Sequence, residues 1–213
     1  MTVIRDVPVA HVFASALMGR PCLLWEGDRA TGLLPTDAWL RDADHSDEAL
    51  LALCAGPTID IGCGPGRMAQ ALARRGRVVL GIDVVPEAVR QSRGRGVATL
   101  LRDVFDAVPG EGRWQTALLA DGNIGIGGDP VALLERVRQL IRRDGRVVVE
   151  LAPPGTGVVT RHVRLETEVG RSDAFPWTLV GTDAIGAVAA ASGLRTVAEH
   201  RIGERWVAVL ETS

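Results

Sequence analysis

From Thr58 onward, short β-branched runs alternate with longer Ala-, Leu- and Arg-rich segments of helical period. Apolar runs that are continuous rather than alternating mark strands buried on both faces, and the usual arrangement that buries a strand this way is a parallel sheet covered by helices. Strands read at 58–61, 78–83, 98–102, 116–120 and 146–151, and helices between them at 67–75, 86–92 and 130–141. The last helix opens on Asp129-Pro130, a capping side chain followed by the residue best suited to a first helical turn. This is the pattern of an α/β doubly wound fold. With 46% hydrophobic and 23% charged residues among 213, the chain can bury one sizeable core, and the expectation is a single domain over 1–213.

After Leu151 the alternation stops. Residues 153–181 carry Pro, Gly and mixed charge, and an insertion of that length after the fifth strand reads as a functional lid. A helix at 183–191 follows, and 194–202 and 205–211, joined at Gly203-Glu204, read as a closing β-hairpin. Ahead of the first strand come a helix near 9–18, a hairpin around 22–33 with Gly27-Asp28 at its turn, and a helix near 47–54. Residues 1–45 read as an N-terminal cap segment on a 46–213 core, either closing over a site or simply covering a sheet edge.

Charge and thiol usage narrow the function classes. A net charge of −2, with no long basic block, argues against a nucleic-acid partner. The apolar stretches at 78–82 and 147–149 fall far short of the roughly 20 residues that cross a bilayer. Asp6, Pro8 and His11 interrupt what would have to be a signal core, so no secretion is expected. Cys22, Cys54 and Cys63 have no close-paired spacing, which suits reduced thiols in the cytoplasm, and no Cys/His/Asp spacing suggests a metal site.

Three features at strand ends carry chemistry. Asp60-Ile61-Gly62-Cys63-Gly64-Pro65-Gly66 lies between the first strand and the helix at Arg67. Its glycines permit a sharp turn that presents backbone N–H groups to a ligand at a helix N-terminus; the alternative is a plain tight turn. Asp83 ends the second strand, where a carboxylate either accepts from two ribose hydroxyls or caps the next helix, and the spacing from the glycines favours ribose. Asp103 ends the third, where it either accepts from an adenine amino group or starts a surface turn. The first two features also fit a nicotinamide-dependent oxidoreductase; Asp103 separates the readings.

Together the set resembles the class I S-adenosylmethionine-dependent methyltransferases, over Ser46 to the C-terminus. The resemblance implies a Rossmann-like, seven-stranded sheet, mostly parallel, with the C-terminal hairpin supplying an antiparallel strand. It implies S-adenosylmethionine as cofactor, bound by Asp60, Gly62, Cys63, Gly64 and Gly66, by Asp83 and Val84, by Asp103 and Val104, and by Ala120, Asp121 and Asn123 after the fourth strand. The segment Ala120-Asp121-Gly122-Asn123-Ile124-Gly125-Ile126-Gly127-Gly128 is similar to small actinobacterial-type members and lacks the Asn/Asp-Pro-Pro-aromatic motif of many base and amide methylases. A small-molecule acceptor, methylated by in-line displacement, is therefore expected. The glycines either pack closely beside the methyl group or only connect strand to helix. A catalytically silent cofactor-binding module is the other reading of the same fold.

Candidate bases for an acceptor proton are Asp121, which begins that loop, and His162, in the expected lid and with the more suitable ordinary pKa. His11 is the other histidine within reach, and for both the alternative is an ordinary surface histidine. Trp25, Trp39, Phe175 and Trp177 are candidates to wall an acceptor pocket, against the alternative of plain packing.

Overall fold

In the computed structural model the described residues are 5–213; residues 1–4, the start of the expected cap segment and of the 1–213 domain, lie outside them. The N-terminal segment forms β1 (Asp6–Val7), α1 (Val9–Leu17), the hairpin β2 (Leu23–Glu26) and β3 (Arg29–Leu33), and the helices α2 (Thr36–Leu40) and α3 (His45–Leu51). The alternating core follows as β4 (Thr58–Ile61), α4 (Arg67–Arg74), β5 (Val79–Asp83), α5 (Pro86–Gly94), β6 (Thr99–Leu101), β7 (Trp114–Leu119), α6 (Pro130–Leu140) and β8 (Ile141–Leu151). The chain ends with β9 (Val158–Thr167), β10 (Gly170–Ser172), β11 (Phe175–Val180), α7 (Thr182–Ala191), β12 (Leu194–Ile202) and β13 (Arg205–Thr212).

One sheet has seven strands in the order β12-β13-β8-β7-β4-β5-β6. Neighbours from β8 to β6 run parallel, while β13 is antiparallel to both β8 and β12. The expected mostly parallel sheet with a C-terminal antiparallel strand is thus present. Its two faces are buried by alternate residues of the same strands. Ala117, Leu119, Val147, Val149, Ala208 and Leu210 pack with Leu133, Leu134 and Leu140 of α6 and Ile185 of α7. Leu118, Val148 and Val207 face the other way, against Leu50 and Leu51 of α3 and Met68 and Leu72 of α4. With side chains pointing alternately up and down, an apolar residue at every position is what two covered faces demand.

Helix starts follow local chemistry. Asp129 accepts from the N–H groups of Val131 and Ala132 at 3.0 Å each, so α6 begins at Pro130 as read. It stops at Leu140 because Ile141 is already extended. Asp44 and Asp47 form a reciprocal capping box on α3.

The segment expected as a lid, 153–181, is built mainly of strands: β9, β10 and β11 join β1, β2 and β3 in a second, six-stranded sheet, in which β2 pairs with β9 in the register Leu23 to Glu166. The mixed composition read as loop is a half-buried strand, with Val163, Leu165 and Thr167 buried on one face of β9. Among the described residues, no helix is long and apolar enough to cross a membrane.

Candidate active site

A cavity of about 790 Å³ opens between the C-terminal ends of β4, β5, β6 and β7 and the inner face of the second sheet. Four connections supply its first wall. After β4 the chain turns through Gly62 (φ +67°) and Gly64 (φ +54°), left-handed conformations that glycine adopts without strain. The space a Cβ would take at Gly64 is empty, so a ligand can approach that backbone. After β5, Asp83 accepts from the N–H groups of Gly64 and Val85, both at 2.8 Å, tying the glycine turn to the next strand. After β6, Asp103 and Val104 lie on the cavity beside Phe105. After β7, Ala120, Asp121 and Asn123 do so.

Eleven of the twelve residues expected around a cofactor therefore border one cavity: Asp60, Gly62, Cys63, Gly64, Asp83, Val84, Asp103, Val104, Ala120, Asp121 and Asn123. Gly66 does not. It turns at φ +87° against α5, where a Cβ would collide with the Ser92 side chain and reach its Cα at 3.0 Å. Its glycine serves helix packing. Asn123 also does more than border the space, because its Nδ2 donates to the carbonyls of Ile61 and Gly62 at 2.9 Å each and so staples the glycine turn.

The carboxylates sit in unlike surroundings. Asp60 is 2% exposed, and its Oδ2 has no hydrogen-bond partner. Burial, reinforced by the Asp121 carboxylate, pushes its pKa up to about 7. Burial also raises the Asp83 pKa, against the N–H groups of Val85 and Gly64 that favour its charged form. Cys63 is raised by burial and by the Asp60 carboxylate, so it stays a thiol.

Asp121 adopts φ +52° and is held there from two sides. Its N–H donates to Glu150 at 2.6 Å, and both its oxygens accept from Arg67, at 2.8 and 2.6 Å. Burial raises its pKa while the Arg67 guanidinium opposes the rise. Arg67, 4% exposed, also pairs with the fully buried Asp47, which in turn accepts from Arg205 at 2.5 Å, and Arg205 pairs with Glu150. Sequence reading missed this network of Asp47, Arg67, Glu150 and Arg205. The one local signal was an arginine at the first helical position after the glycine turn, where cations are unfavourable unless paired.

The second wall comes from α1, α2 and the second sheet. Of the four candidate aromatics, Trp39, Phe175 and Trp177 line this cavity. Trp25 lies instead beneath the Arg171 guanidinium, 4.3 Å from its ring centroid.

The structure does not bring His162 to the site, and this corrects its candidacy as a base. On β9 successive side chains point to opposite faces. Arg161 and Val163 line the cavity, so His162 between them is exposed on the outer face. His11 is exposed on α1, whose cavity face carries Val9, Ala10, Phe13 and Leu17. Among the described residues no group of three His, Cys, Asp or Glu is arranged to hold a metal ion.

Residues 59–145 match the family described as a methyltransferase domain. The ubiquinone biosynthesis O-methyltransferase of Xylella fastidiosa (strain M23) is 27% identical over 105 residues, which cover 46% of this chain and 43% of that protein. The chain thus spans less than half the length of the curated relatives it matches. A SAM-dependent methyltransferase from Bacteroides fragilis, solved in complex with S-adenosyl-L-homocysteine, superposes with a TM-score of 0.80 at 20% identity, covering 99% of this chain and 98% of that one. The Burkholderia thailandensis 1,6-didemethyltoxoflavin-N1-methyltransferase, solved with 1,6-didemethyltoxoflavin and S-adenosylhomocysteine, gives 0.63 at 18% identity over 99% and 94%. At these identities the likeness to solved structures establishes the fold.

Proposed function

We propose that this chain is a class I S-adenosylmethionine-dependent methyltransferase that binds S-adenosylmethionine in this cavity and methylates a small molecule there, a reading supported by its domain match at 59–145 and its sheet order. The observation that carries the reading is the convergence of Asp60, Asp83 and Asp103, from the ends of three adjacent parallel strands, on one cavity with the glycine turn between them.

The residues present fit this cofactor. The unpartnered, buried Oδ2 of Asp60 suits an ammonium group, and the open approach at Gly64 suits a methionine backbone. Asp83 spends one bond per oxygen on backbone N–H groups, which leaves lone pairs for ribose hydroxyls. Asp103, flanked by Val104 and Phe105, suits an adenine edge and faces.

The cofactor supplies an already activated methyl group on a sulfonium. What remains for the protein is to hold an acceptor nucleophile in line with it, which accounts for about 7–11 kcal/mol of barrier reduction in well-oriented systems. The second sheet, α1 and α2 roof the site and exclude water. Both oxygens of Asp121 are engaged by Arg67, so we assign Asp121 to positioning charge at the loop rather than to taking the acceptor's proton. Residues 1–213 then act as one unit, with no nucleic acid among its partners. Three buried free thiols support a reducing, cytoplasmic setting.

The test is calorimetry with S-adenosylhomocysteine, using NAD(H) and NADP(H) as competing candidates. Asp83→Ala is expected to lose on the order of 1.5–3 kcal/mol of binding, the worth of hydrogen bonds to a charged group. Unchanged affinity in the folded variant, or preference for a dinucleotide, refutes the assignment.

A further inference from the structure

We propose that the methyl acceptor is an uncharged, largely apolar molecule built on one or two rings, held against the wall formed by α1 and the second sheet. The proposal rests on the methyltransferase reading above and adds the substrate class.

The two walls of the cavity differ in chemistry. The carboxylates Asp60, Asp83, Asp103 and Asp121, the guanidinium groups of Arg67 and Arg102 and the backbone N–H groups all belong to the first. The second is lined by Phe13, Leu24, Trp39, Leu165, Phe175 and Trp177, brought together from five separate segments. Its polar residues are already partnered. Thr31 donates its hydroxyl to the Leu24 carbonyl at 3.1 Å. Glu26 and Arg161 pair with each other at 3.4 Å, each side chain 44% exposed, at the solvent rim. A charge on the part of an acceptor that lies against this wall would be desolvated without a counter-charge, whereas an apolar ring would replace water on apolar surface.

The wall also has a shape that favours rings. Phe13 and Phe175 meet at 6.4 Å between centroids, tilted by 50°. Trp177 is fixed by the glycine-rich segment that sequence left either beside the methyl group or as a mere connection. A Cβ at Gly125 would come within 2.7 Å of the Trp177 Nε1, and one at Gly128 within 2.5 Å of Pro176. The glycines are therefore the seat of β11, and they hold a flat indole at the seam where the two walls meet. Stacking on a preset aromatic surface needs no ordering of that surface on binding. The size agrees: about 790 Å³ lies toward the upper end of the 300–1,000 Å³ that enclose one drug-sized ligand, leaving room for a compact acceptor beside a cofactor.

The experiment uses the full chain saturated with S-adenosylhomocysteine, and binding of three matched probes followed by calorimetry and saturation-transfer NMR: 2-naphthol, 2-naphthoate and naphthylmethylammonium. We expect the neutral probe to bind at least tenfold more tightly than either charged one. We also expect Trp177→Leu, which keeps apolar bulk and removes the flat ring, to weaken it at least tenfold; Phe175→Leu serves if the first variant does not fold. Equal or tighter binding of a charged probe, no binding of any probe, or indifference of the neutral probe to these substitutions overturns the substrate class while leaving the cofactor assignment standing. Failure of the wild-type protein to bind S-adenosylhomocysteine at all overturns the methyltransferase reading, and this proposal with it.

Discussion

Asp60 lies at the end of β4 with its carboxyl pKa pushed up to about 7 by burial and by the Asp121 carboxylate, and with one oxygen unpartnered. An unfolded aspartate titrates near 3.9. Between about pH 4 and pH 7 the folded protein therefore holds a proton that the unfolded chain has released, so this group makes the ligand-free fold progressively less stable as pH rises through that window. A cationic ligand group beside Asp60 favours its charged form, and binding should release that proton below pH 7. S-adenosylhomocysteine affinity is expected to fall as pH drops from 7.5 to 5.5, by up to about tenfold per unit below 7. Asp60→Asn should bind more weakly at pH 7.5, lose that dependence, and melt at a higher temperature than wild type without ligand. Calorimetry across this range checks the first two, and a wild-type affinity flat in pH contradicts the role given to Asp60.

Two connecting elements, each rich in glycine, use that residue for different reasons. At Gly64 the demand is conformational: φ is +54° and the space beyond is open to the cavity. Alanine there costs about 1–2 kcal/mol of left-handed strain, and its methyl enters the space assigned to the cofactor. Gly64→Ala should remain folded and bind S-adenosylhomocysteine at least tenfold more weakly. At Gly125 the demand is packing, since a Cβ would come within 2.5 Å of the Thr178 carbonyl oxygen, a backbone atom that cannot step aside cheaply. Gly125→Ala should cost about 1–3 kcal/mol, the usual penalty of overpacking, and alter the near-ultraviolet signal of Trp177. Urea melts and titrations of the two variants together check the contrast; a stable Gly125→Ala protein with an unchanged tryptophan spectrum removes the seat assigned to that segment. Sequence could find both glycine runs, but it could not divide these roles, because φ at one and the neighbour at the other are set by the fold.

Across the whole molecule, the two sheets differ in how much apolar surface holds them. The seven-stranded sheet has buried clusters on both faces, whereas the second sheet and α1 share a small one, around Val12, Ala16, Cys22 and Leu165. Regions with less buried apolar contact open at lower free energy. Amides of β2, β9 and β11 are therefore expected to exchange with deuterium faster than those of β4, β7 and β8, and an acceptor-sized ligand bound with S-adenosylhomocysteine should slow them most. Uniform protection in both sheets would show that the second sheet opens only with global unfolding.

The amino-acid sequence by itself determined what depends on near neighbours. Strand and helix alternation, the Asp129-Pro130 start of α6, the closing hairpin and the strand-end acids Asp60, Asp83 and Asp103 are all legible because periodicity, capping and spacing act within a few residues along the chain. The tertiary structure decided what joins distant segments. β2 lies against β9, which builds the segment expected as a lid into a sheet along the cavity. Arg205 reaches Asp47 across 158 residues, and with Arg67 it holds Asp121. A one-residue step along β9 put Arg161 and Val163 on the cavity and His162 outside it. Such contacts carry no local signature, since the pairing partner and register of a strand are set by the surfaces available elsewhere in the fold.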